Sequence, residues 1–397
     1  MMSQAATFCS LPPASQHALL QLMQAVLVQS RPLDKTSAAL FKELPQTLHA
    51  GLVQASGTLL RRLNYYWYCV FAQPLPQLPV TTNQVAQLVS ALCQPWSAGI
   101  TARADEVADT EAQHLLRDGC PDWLEQAAMQ IDNWPTIRHA LAQAPTRFVR
   151  VNSLKTDKAA LKRRFDLEQI GWRDVAAVPN ALEITTDAAL FRSKAFRDGW
   201  FEQQDAGSQY LADQLPVSPG MKVIDACAGA GGKSLALAAR MQAKGRLLSM
   251  DVEEWKLNAL KERAKRAGAG NIETRLIVSS KTIKRLADSA DALLLDVPCS
   301  GTGVFKRNPE GKWRHQAEHL TELLALQADI LRRYSKMLKV QGHLLYATCS
   351  ILPQENQQQI KRFLAEQPQF ELLRDEFIDP ANTGWDGFYY ALLRRNS

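Results

Sequence analysis

The chain of 397 residues carries little that would point to a membrane, a metal or an oxidising compartment. Its densest apolar and aromatic run, from Leu63 to Ala72, is shorter than the roughly 18 apolar residues that a membrane-spanning helix needs. No Cys-x-x-Cys pair or His/Cys cluster has the spacing of metal ligands. The first residues lack a basic start followed by an apolar stretch, and the seven cysteines are scattered and odd in number. We therefore expect a cytoplasmic protein with free thiols, no metal and no membrane partner.

Charge by itself does not assign a partner to the chain. The formal net charge is +6, and 22% of the residues are charged against 46% hydrophobic, which are ordinary values for a globular protein. A mild basic excess permits a nucleic-acid partner but is equally common in enzymes that act on neutral substrates. The length predicts two or three domains.

The pattern of residues divides the chain into three predicted domains. Residues 1–110 are rich in Leu, Ala and Gln and are divided by prolines, which predicts a small helical domain. Arg61 and Arg62 beside the aromatic run could form an RNA surface, but an aromatic helix packed into a core is the favoured interpretation. Residues 111–204 predict a small α+β linking module, and residues 205–397 a catalytic domain.

The third domain alternates strands and helices, which predicts an α/β fold with a parallel sheet and crossovers on both faces. Every motif that could carry chemistry follows one of these strands. In open α/β sheets, ligands bind at the carboxyl ends of the strands. The five predicted strands are Lys222–Asp225, Arg246–Met250, Ile272–Val278, Ala292–Leu295 and Gly342–Ala347.

A glycine-rich turn follows the first of these strands, with the sequence Asp225-Ala226-Cys227-Ala228-Gly229-Ala230-Gly231-Gly232-Lys233. Such turns let the backbone approach a ligand closely and also serve nucleotides and flavins. The spacing matches neither a phosphate-binding loop nor the dinucleotide fingerprint. Asp251, at the end of the second strand, is placed to accept hydrogen bonds from ribose hydroxyls, although it could simply cap the next helix. Together the two features favour a nucleoside cofactor.

Two cysteines lie in short motifs at strand ends, Asp296-Val297-Pro298-Cys299 and Thr348-Cys349-Ser350. Methyl transfer to an exocyclic amine typically uses Asn/Asp-Pro-Pro-aromatic and no thiol, whereas a thiol suits attack on a ring carbon. Carbon 5 of a pyrimidine becomes nucleophilic only after a thiolate adds to carbon 6, so a thiolate, an acid and a methyl donor are all required. The other cysteines are more simply explained as small core residues.

The chain resembles the RsmB-type RNA cytosine-5 methyltransferases, which use S-adenosylmethionine (SAM), from about Pro121 to the C-terminus. Nine groups of residues carry the resemblance in order: Pro121–Leu124, Arg150–Asn152, Gly199–Phe201, Gln204–Gln209, Asp225–Lys233, Asp296–Gly303, Arg307–Trp313, Tyr346–Ser350 with Pro353, Glu355 and Asn356, and Asp386–Tyr389. The resemblance implies a Rossmann-like class I methyltransferase sheet. A small α+β module and a mostly helical N-terminal domain would precede that sheet.

The resemblance also implies roles for individual residues. Cys349 is the nucleophile that adds to carbon 6 of the cytosine, Cys299 assists its release, Asp296 holds the protonated base, and Lys233 lies near the base and the cofactor. The implied cofactor-binding residues are Ala226, Cys227, Ala228, Gly229, Ala230, Gly231, Gly232, Lys233, Asp251, Ser280 and Asp296. The implied RNA contacts are Arg150, Asn152, Lys306, Arg307, Lys312 and Arg314.

The chain departs from the family in three places. Ala230 stands where the family usually carries a proline, Val278-Ser279-Ser280-Lys281 stands where it places an acid after the third strand, and the N-terminal segment is not clearly a NusB-like domain. The expectation is a monomeric enzyme acting on ribosomal RNA, with tRNA second. An RNA-binding or assembly factor without turnover is the alternative from another class. A DNA cytosine-5 methyltransferase is disfavoured because its nucleophile lies in a Pro-Cys-Gln motif.

Overall fold

The computed structural model describes residues 7–109, 113–314 and 317–397, and the chain forms two compact units. The first unit comprises Met1–Ala144 together with Val304–His319, and the second comprises Pro145–Gly303 together with Leu320–Ser397. In the described residues, no helix is both long enough and apolar enough to cross a membrane.

The first unit is helical, as its composition predicts. Its core includes the helix Leu63–Phe71, whose Tyr65, Tyr66 and Trp67 are all buried, so this aromatic run is core and not an exposed surface. The helix Thr82–Cys93 begins with a capping box, in which Thr81 and Gln84 each satisfy a backbone N–H of the other. The helices described in this unit are Pro13–Leu27, Leu33–Leu40, His49–Arg61, Leu63–Phe71, Thr82–Cys93, Ala98–Asp109, His114–Arg117, Asp122–Ala128, Trp134–Leu141 and Gly311–Arg314.

The boundary between the two compact units falls after Ala144, whereas the sequence places the end of its first domain at residue 110. The side chain of Asn64 donates hydrogen bonds to the carbonyl oxygens of Leu115 and Cys120, at 3.2 and 3.1 Å. Asp118, whose side chain is fully buried, pairs with Arg138 at 3.0 Å. The contacts of Asn64 join the segment after residue 113 to the preceding helices, and the Asp118–Arg138 pair holds that segment to the helix Trp134–Leu141.

The second unit contains a four-stranded antiparallel sheet that corresponds to the predicted α+β module. Its strands are β1 (Arg147–Val151), β2 (Trp172–Asp174), β3 (Ala181–Ile184) and β4 (Phe201–Gln203), in the order β2-β3-β1-β4. The helix Lys158–Leu167 begins at Asp157, whose carboxylate accepts the N–H of Ala160 at 2.7 Å. Leu161 and Phe165 of this helix are buried in the core of the module.

A seven-stranded sheet forms the rest of the second unit, in the order β10-β11-β9-β8-β5-β6-β7. The five predicted strands are all present and pair in parallel, which confirms the Rossmann-like α/β class. Their buried apolar side chains, such as Ile224, Leu248 and Leu293, belong to one core. The strands are β5 (Lys222–Asp225), β6 (Arg246–Asp251), β7 (Ile272–Leu276), β8 (Ala290–Asp296), β9 (Leu338–Thr348), β10 (Phe370–Ile378) and β11 (Phe388–Arg395).

Two strands of this sheet, β10 and β11, were not expected from the sequence. β11 pairs antiparallel with β9, and β10 pairs antiparallel with β11 at the edge of the sheet. β10 carries several charged residues and exposes most of its middle, so it lacks the apolar run of a buried strand. Charged edge strands are a common protection against aggregation, which explains why apolar patterning missed it.

The helices of the second unit connect these strands and end at recognisable signals. The charged segment Glu254–Ala267, which the sequence predicts to be a helix, forms a helix with these bounds. It ends at Gly268, whose φ of 73° is the left-handed geometry of a helix C-terminus. The long helix before β9 spans Ala317–Tyr334. The sequence predicts an amphipathic helix from about Gln316 to Leu338, and its predicted start lies outside the described residues. The other helices are Lys194–Arg197, Ala206–Ala212, Gly232–Arg240, Ser280–Lys284, Gln357–Glu366 and Pro380–Thr383.

Candidate active site

The glycine-rich turn connects β5 to the helix Gly232–Arg240 and is fixed to both neighbouring strands. The N–H of Ala226 donates to the carbonyl oxygen of Leu294 at 3.1 Å, and that of Ala228 to Met250 at 2.9 Å. Gly231 has a φ of 84°, and a Cβ atom added there would lie 2.0 Å from the Leu260 side chain. Only glycine fits this position, so the turn brings the backbone amides to the carboxyl edge of the sheet.

Three features of the turn suit a nucleoside cofactor. A Cβ atom added at Gly229 would meet no atom within 4 Å, so the turn faces open space at this point. The buried Oδ1 of Asp225 has no hydrogen-bond partner among the described residues. Asp251 accepts the N–H groups of Gly229 and Glu253, at 2.8 and 2.9 Å, which leaves acceptor capacity on its carboxylate for hydroxyl groups.

Two arginines hold the carbonyl groups of the turn. The Arg263 guanidinium donates to the carbonyl oxygen of Ala230 at 2.6 Å, and Arg150 donates to that of Gly232 at 2.8 Å. Glu202 accepts hydrogen bonds from Arg263 at 3.0 and 3.1 Å and so orients its guanidinium. The carbonyl of Ala230, which stands where the family has proline, is therefore fixed by an external side chain.

Burial makes the acidic groups of the turn easier to protonate. Burial, with a smaller contribution from the charge of Asp296, raises the pKa of Asp225 to about 7, although its hydrogen bond from Ser234 opposes the rise. Burial and the negative charge of Asp225 raise the pKa of the Cys227 thiol well above its ordinary value. Cys227 is therefore a neutral thiol in the turn and not a nucleophile. Ser280, another of the implied cofactor-binding residues, lies exposed after β7.

The structure brings the two motif cysteines together. Cys299 follows β8 and Cys349 follows β9, and these strands are parallel neighbours with Asp296 paired with Ala347. The two Sγ atoms are 3.3 Å apart. The hydrogen bond with Cys349, and then burial, raise the pKa of the Cys299 thiol well above its ordinary range. The pair is therefore asymmetric, with Cys299 held as a protonated thiol beside Cys349.

An ion pair lies beside the two thiols. The Nζ of Lys233 is 2.6 Å from Oδ2 of Asp296, and these side chains are 11% and 29% exposed. Burial lowers the pKa of Lys233, but the charge and hydrogen bond of Asp296 outweigh burial and raise this pKa above its ordinary value. Negative charge on Cys349 acts in the same direction. The Lys233 ammonium group therefore lies within electrostatic range of the Cys349 sulfur.

Comparisons with known proteins identify the family of the chain. Residues 212–394 match the model of the family described as 16S rRNA methyltransferase RsmB/F. Ribosomal RNA small subunit methyltransferase B of Klebsiella pneumoniae subsp. pneumoniae is 32% identical over 332 residues, which are 79% of this chain and 74% of that protein. The chain belongs to the RsmB/F family. The protein of the same name from Pasteurella multocida is 34% identical over 295 residues, and the match covers 69% of this chain and 65% of that relative.

Solved structures share the fold. The crystal structure of PH0851 has a TM-score of 0.82 at 23% identity, and the match covers 97% of this chain and 99% of that chain. The structure of NSun6 from Pyrococcus horikoshii with SFG has a TM-score of 0.63 at 19% identity, and the match covers 70% of this chain and 98% of that chain.

In the part of the chain that the structure describes, no group of three or more His, Cys, Asp or Glu side chains could hold a metal ion.

Several residues expected to contact RNA lie inside the protein, which corrects that prediction. Arg150 is buried, and its guanidinium contacts Gln204 and the Gly232 carbonyl group. Asn152 is buried as well, and its amide donates to the carbonyl oxygens of Gly199 and Ala267 at 2.7 and 2.9 Å. Both side chains support the turn and its surroundings, and neither is available to a phosphate group.

Lys306 and Lys312 are also buried, in the first unit, so the prediction that they bind RNA is wrong for this arrangement. The Nζ of Lys312 donates to the carbonyl oxygens of Arg61 and Gly119, at 3.1 and 3.2 Å. Arg307 and Arg314 are partly exposed. Of the four basic residues in this segment, these two remain predicted phosphate contacts.

Burial of Lys312 predicts a pH-dependent stability. Burial lowers the pKa of Lys312 to about 7. The positive charges of Arg62 and Arg61 lower this pKa further, and a negative charge on the nearby Cys120 raises it. Between this value and its unfolded value, near 10.4, the unfolded chain binds the extra proton, so folding becomes more favourable as the pH rises. Relative to Lys312→Met, we expect the unfolding free energy of the parent protein to rise by up to about 1.4 kcal/mol per pH unit above pH 7. Urea unfolding at pH 7 and pH 9 measures this difference, and a difference that stays constant with pH would contradict it.

The sequence-based prediction gave no role to a group of buried polar residues behind the cysteines. Glu355 and Gln327 are fully buried, and hydrogen bonds connect them to the segments that carry Cys299 and Cys349. Glu355 belongs to the residues that carry the family resemblance, so its presence was a signal without an assigned role. Gln327 lies in the helix Ala317–Tyr334, where the sequence gives no sign that it differs from a surface glutamine.

Proposed function

We propose that this protein transfers a methyl group from SAM to carbon 5 of a cytosine in ribosomal RNA through a covalent bond between Cys349 and carbon 6. The observation that carries the proposal is the 3.3 Å approach of Cys299 and Cys349 beside the Lys233–Asp296 ion pair. A turn suited to a nucleoside cofactor lies next to this group. Membership of the RsmB/F family, and relatives named for ribosomal RNA, support the choice of substrate.

The cofactor would be held by the backbone of the turn and by Asp251. Asp251 would accept hydrogen bonds from the ribose hydroxyls, and the amides from Ala228 to Gly232 would contact the methionine end. Bound there, SAM supplies an electrophilic methyl group. The target cytosine must leave any helical stack to reach the same edge of the sheet.

The reaction begins when the Cys349 thiolate forms a bond to carbon 6. Electrons of the ring then shift so that ring nitrogen N3 takes a proton from solvent water and carbon 5 becomes nucleophilic. Asp296 stabilises this state by accepting a hydrogen bond from N3–H or from the amino group. Lys233 stabilises the thiolate before attack.

After carbon 5 gains the methyl group, a base removes its hydrogen as a proton, and the bond from Cys349 to carbon 6 breaks with its electron pair returning to sulfur. The carbon 5–carbon 6 double bond forms again, and the proton at N3 is released. Cys299, next to the sulfur that departs, assists this release. The net change is replacement of one hydrogen by a methyl group.

Trapping of the covalent intermediate tests the proposal. In cells that express Cys299→Ala, we expect protein covalently attached to RNA on a denaturing gel, because attack proceeds while release is blocked. The attachment should vanish when Cys349 is also replaced by alanine. Sequencing of the trapped RNA identifies the substrate, and recovery of tRNA in place of ribosomal RNA would reject the proposed substrate class.

The alternative is an RNA-binding or assembly factor that has kept the fold and lost turnover. Calorimetry with SAM distinguishes it from an enzyme, because a factor without turnover has no need of the methyl donor. No detectable binding of SAM, together with no trapped RNA from cells in which a known enzyme of this type traps well, would reject the enzyme.

A further inference from the structure

Glu355 is a fully buried acid to which the reaction above assigns no step. Its Oε1 accepts the backbone N–H of Ser300 and the side-chain amide of Gln327, both at 2.8 Å. Its Oε2 accepts the hydroxyl groups of Ser300, at 2.5 Å, and of Ser350. Four donors therefore surround the two oxygens, which is the full acceptor capacity of a carboxylate.

The donors are the direct neighbours of the two cysteines. Ser300 follows Cys299, and Ser350 follows Cys349. Gln327 also donates to the carbonyl oxygen of Pro298 at 2.9 Å, so the Cys299 segment is held on both sides of the cysteine. One carboxylate thus links two segments that are about fifty residues apart in the sequence and that carry the two thiols.

Further hydrogen bonds fix the direction in which the Ser350 hydroxyl donates. The Oγ of Ser350 accepts the N–H of Leu352 at 3.0 Å, so its own hydrogen is free to point to Glu355. Thr302 joins the same group, because its Oγ1 is 3.0 Å from Oγ of Ser350 and accepts the N–H of Ile351 at 3.0 Å. This arrangement fits an ionised Glu355, which only accepts hydrogen bonds.

We propose that Glu355 is a positioning residue whose carboxylate holds the Cys299 and Cys349 segments in register and makes the two thiols chemically unequal. The inference rests on the proposed function, since unequal thiols matter only if one attacks and the other assists release. The negative charge of Glu355 also contributes, after the hydrogen bond with Cys349, burial and the charge of Cys349, to the raised pKa of Cys299. Cys349 is thereby left as the thiol that attacks.

The test is Glu355→Gln, which keeps the size of the side chain, removes the charge and turns an acceptor into a donor facing other donors. We expect kcat for methyl transfer to fall by about 10²-fold, while KM for RNA and the affinity for SAM stay within about twofold. We also expect the pH at which iodoacetamide alkylates Cys299 half-maximally to fall by about one unit, measured by mass spectrometry of the separate cysteine peptides. Glu355→Asp retains the charge and should restore the alkylation profile of Cys299.

Glu366→Gln is the matched control, because Glu366 is an exposed residue at the end of the helix Gln357–Glu366 and should change neither quantity. A Glu355→Gln protein with lower stability and kcat but an unchanged Cys299 profile would show a purely structural role and overturn the inference. If that variant does not fold, Ser350→Ala, which removes one of the four donors, should lower kcat by about tenfold; unchanged kcat would overturn the inference. Alkylation needs no RNA, so the Cys299 profile tests the role of Glu355 even if the protein does not methylate RNA. Failure of the inference and failure of the proposed function therefore give different results.

Discussion

Cys349→Ala should reduce methylation of RNA by at least about 10³-fold and abolish the covalent attachment to RNA, because carbon 5 of cytosine stays unreactive until a thiolate adds to carbon 6. The change removes one sulfur from a partly buried site and adds no charge, so folding and SAM affinity should be unchanged. Transfer of a radioactive methyl group from SAM to RNA measures the rate. Circular dichroism and calorimetry check folding and cofactor binding.

Cys9→Ala is the control for loss of a thiol, since Cys9 is exposed and belongs to the helical unit. Its methylation rate should equal that of the parent protein. Residual methylation in Cys349→Ala, lost only when Cys299 is also replaced, would reassign the nucleophile to Cys299. That outcome would also reverse the division of roles inferred from the protonated state of Cys299.

Asp296→Asn should lower kcat by about 10²- to 10³-fold with little change in RNA affinity, because the carboxylate acts on the base only as it gains a proton. An amide fills the same space, but it lacks the negative charge that stabilises a protonated ring. The variant also removes the partner that raises the pKa of Lys233. The alkaline limb of the pH–rate profile should therefore move to lower pH, which a profile of kcat from pH 6 to pH 10 measures.

Asp198→Asn provides the control, because Asp198 is an exposed acid in the same unit and lies after the short helix Lys194–Arg197. A fall in RNA affinity as large as the fall in kcat would place Asp296 in ground-state binding and contradict its proposed role. Filter binding at two salt concentrations separates these cases, since a lost phosphate contact would change the salt dependence.

The sequence could place the candidate catalytic residues at strand ends because a parallel sheet allows few arrangements of its strands. β8 and β9 are parallel neighbours, so their carboxyl ends lie at the same edge of the sheet. Asp296, Cys299 and Cys349 lie at or just after these ends and are therefore expected near one another. Cys227, which the sequence explains most simply as a small core residue, is only partly buried in the turn. The distance between the thiols and the Lys233–Asp296 pair depend on side-chain packing and needed the structure.

The assignment of RNA contacts failed because the acceptors of buried cations are distant in the sequence. Lys312 donates to the carbonyl groups of Arg61 and Gly119, which are far from it in the chain. A run of basic residues near a catalytic motif gives no information about such partners. The same reason applies to Arg150, which contacts a carbonyl group of the glycine turn.

The arginines that hold the glycine turn set an expected lower limit on the length of a fragment that could bind the proposed cofactor. Arg150 and Glu202 belong to the small antiparallel sheet, whereas Ala230 and Gly232, whose carbonyl groups are held, belong to the turn. A fragment that begins at residue 205 would keep every strand of the larger sheet and both cysteines. It would nevertheless lose Arg150 altogether and leave Arg263 without its orienting acid. We therefore expect the shortest fragment that binds SAM as tightly as the full chain to begin before β1, because the α+β module supplies side chains that hold the proposed cofactor turn.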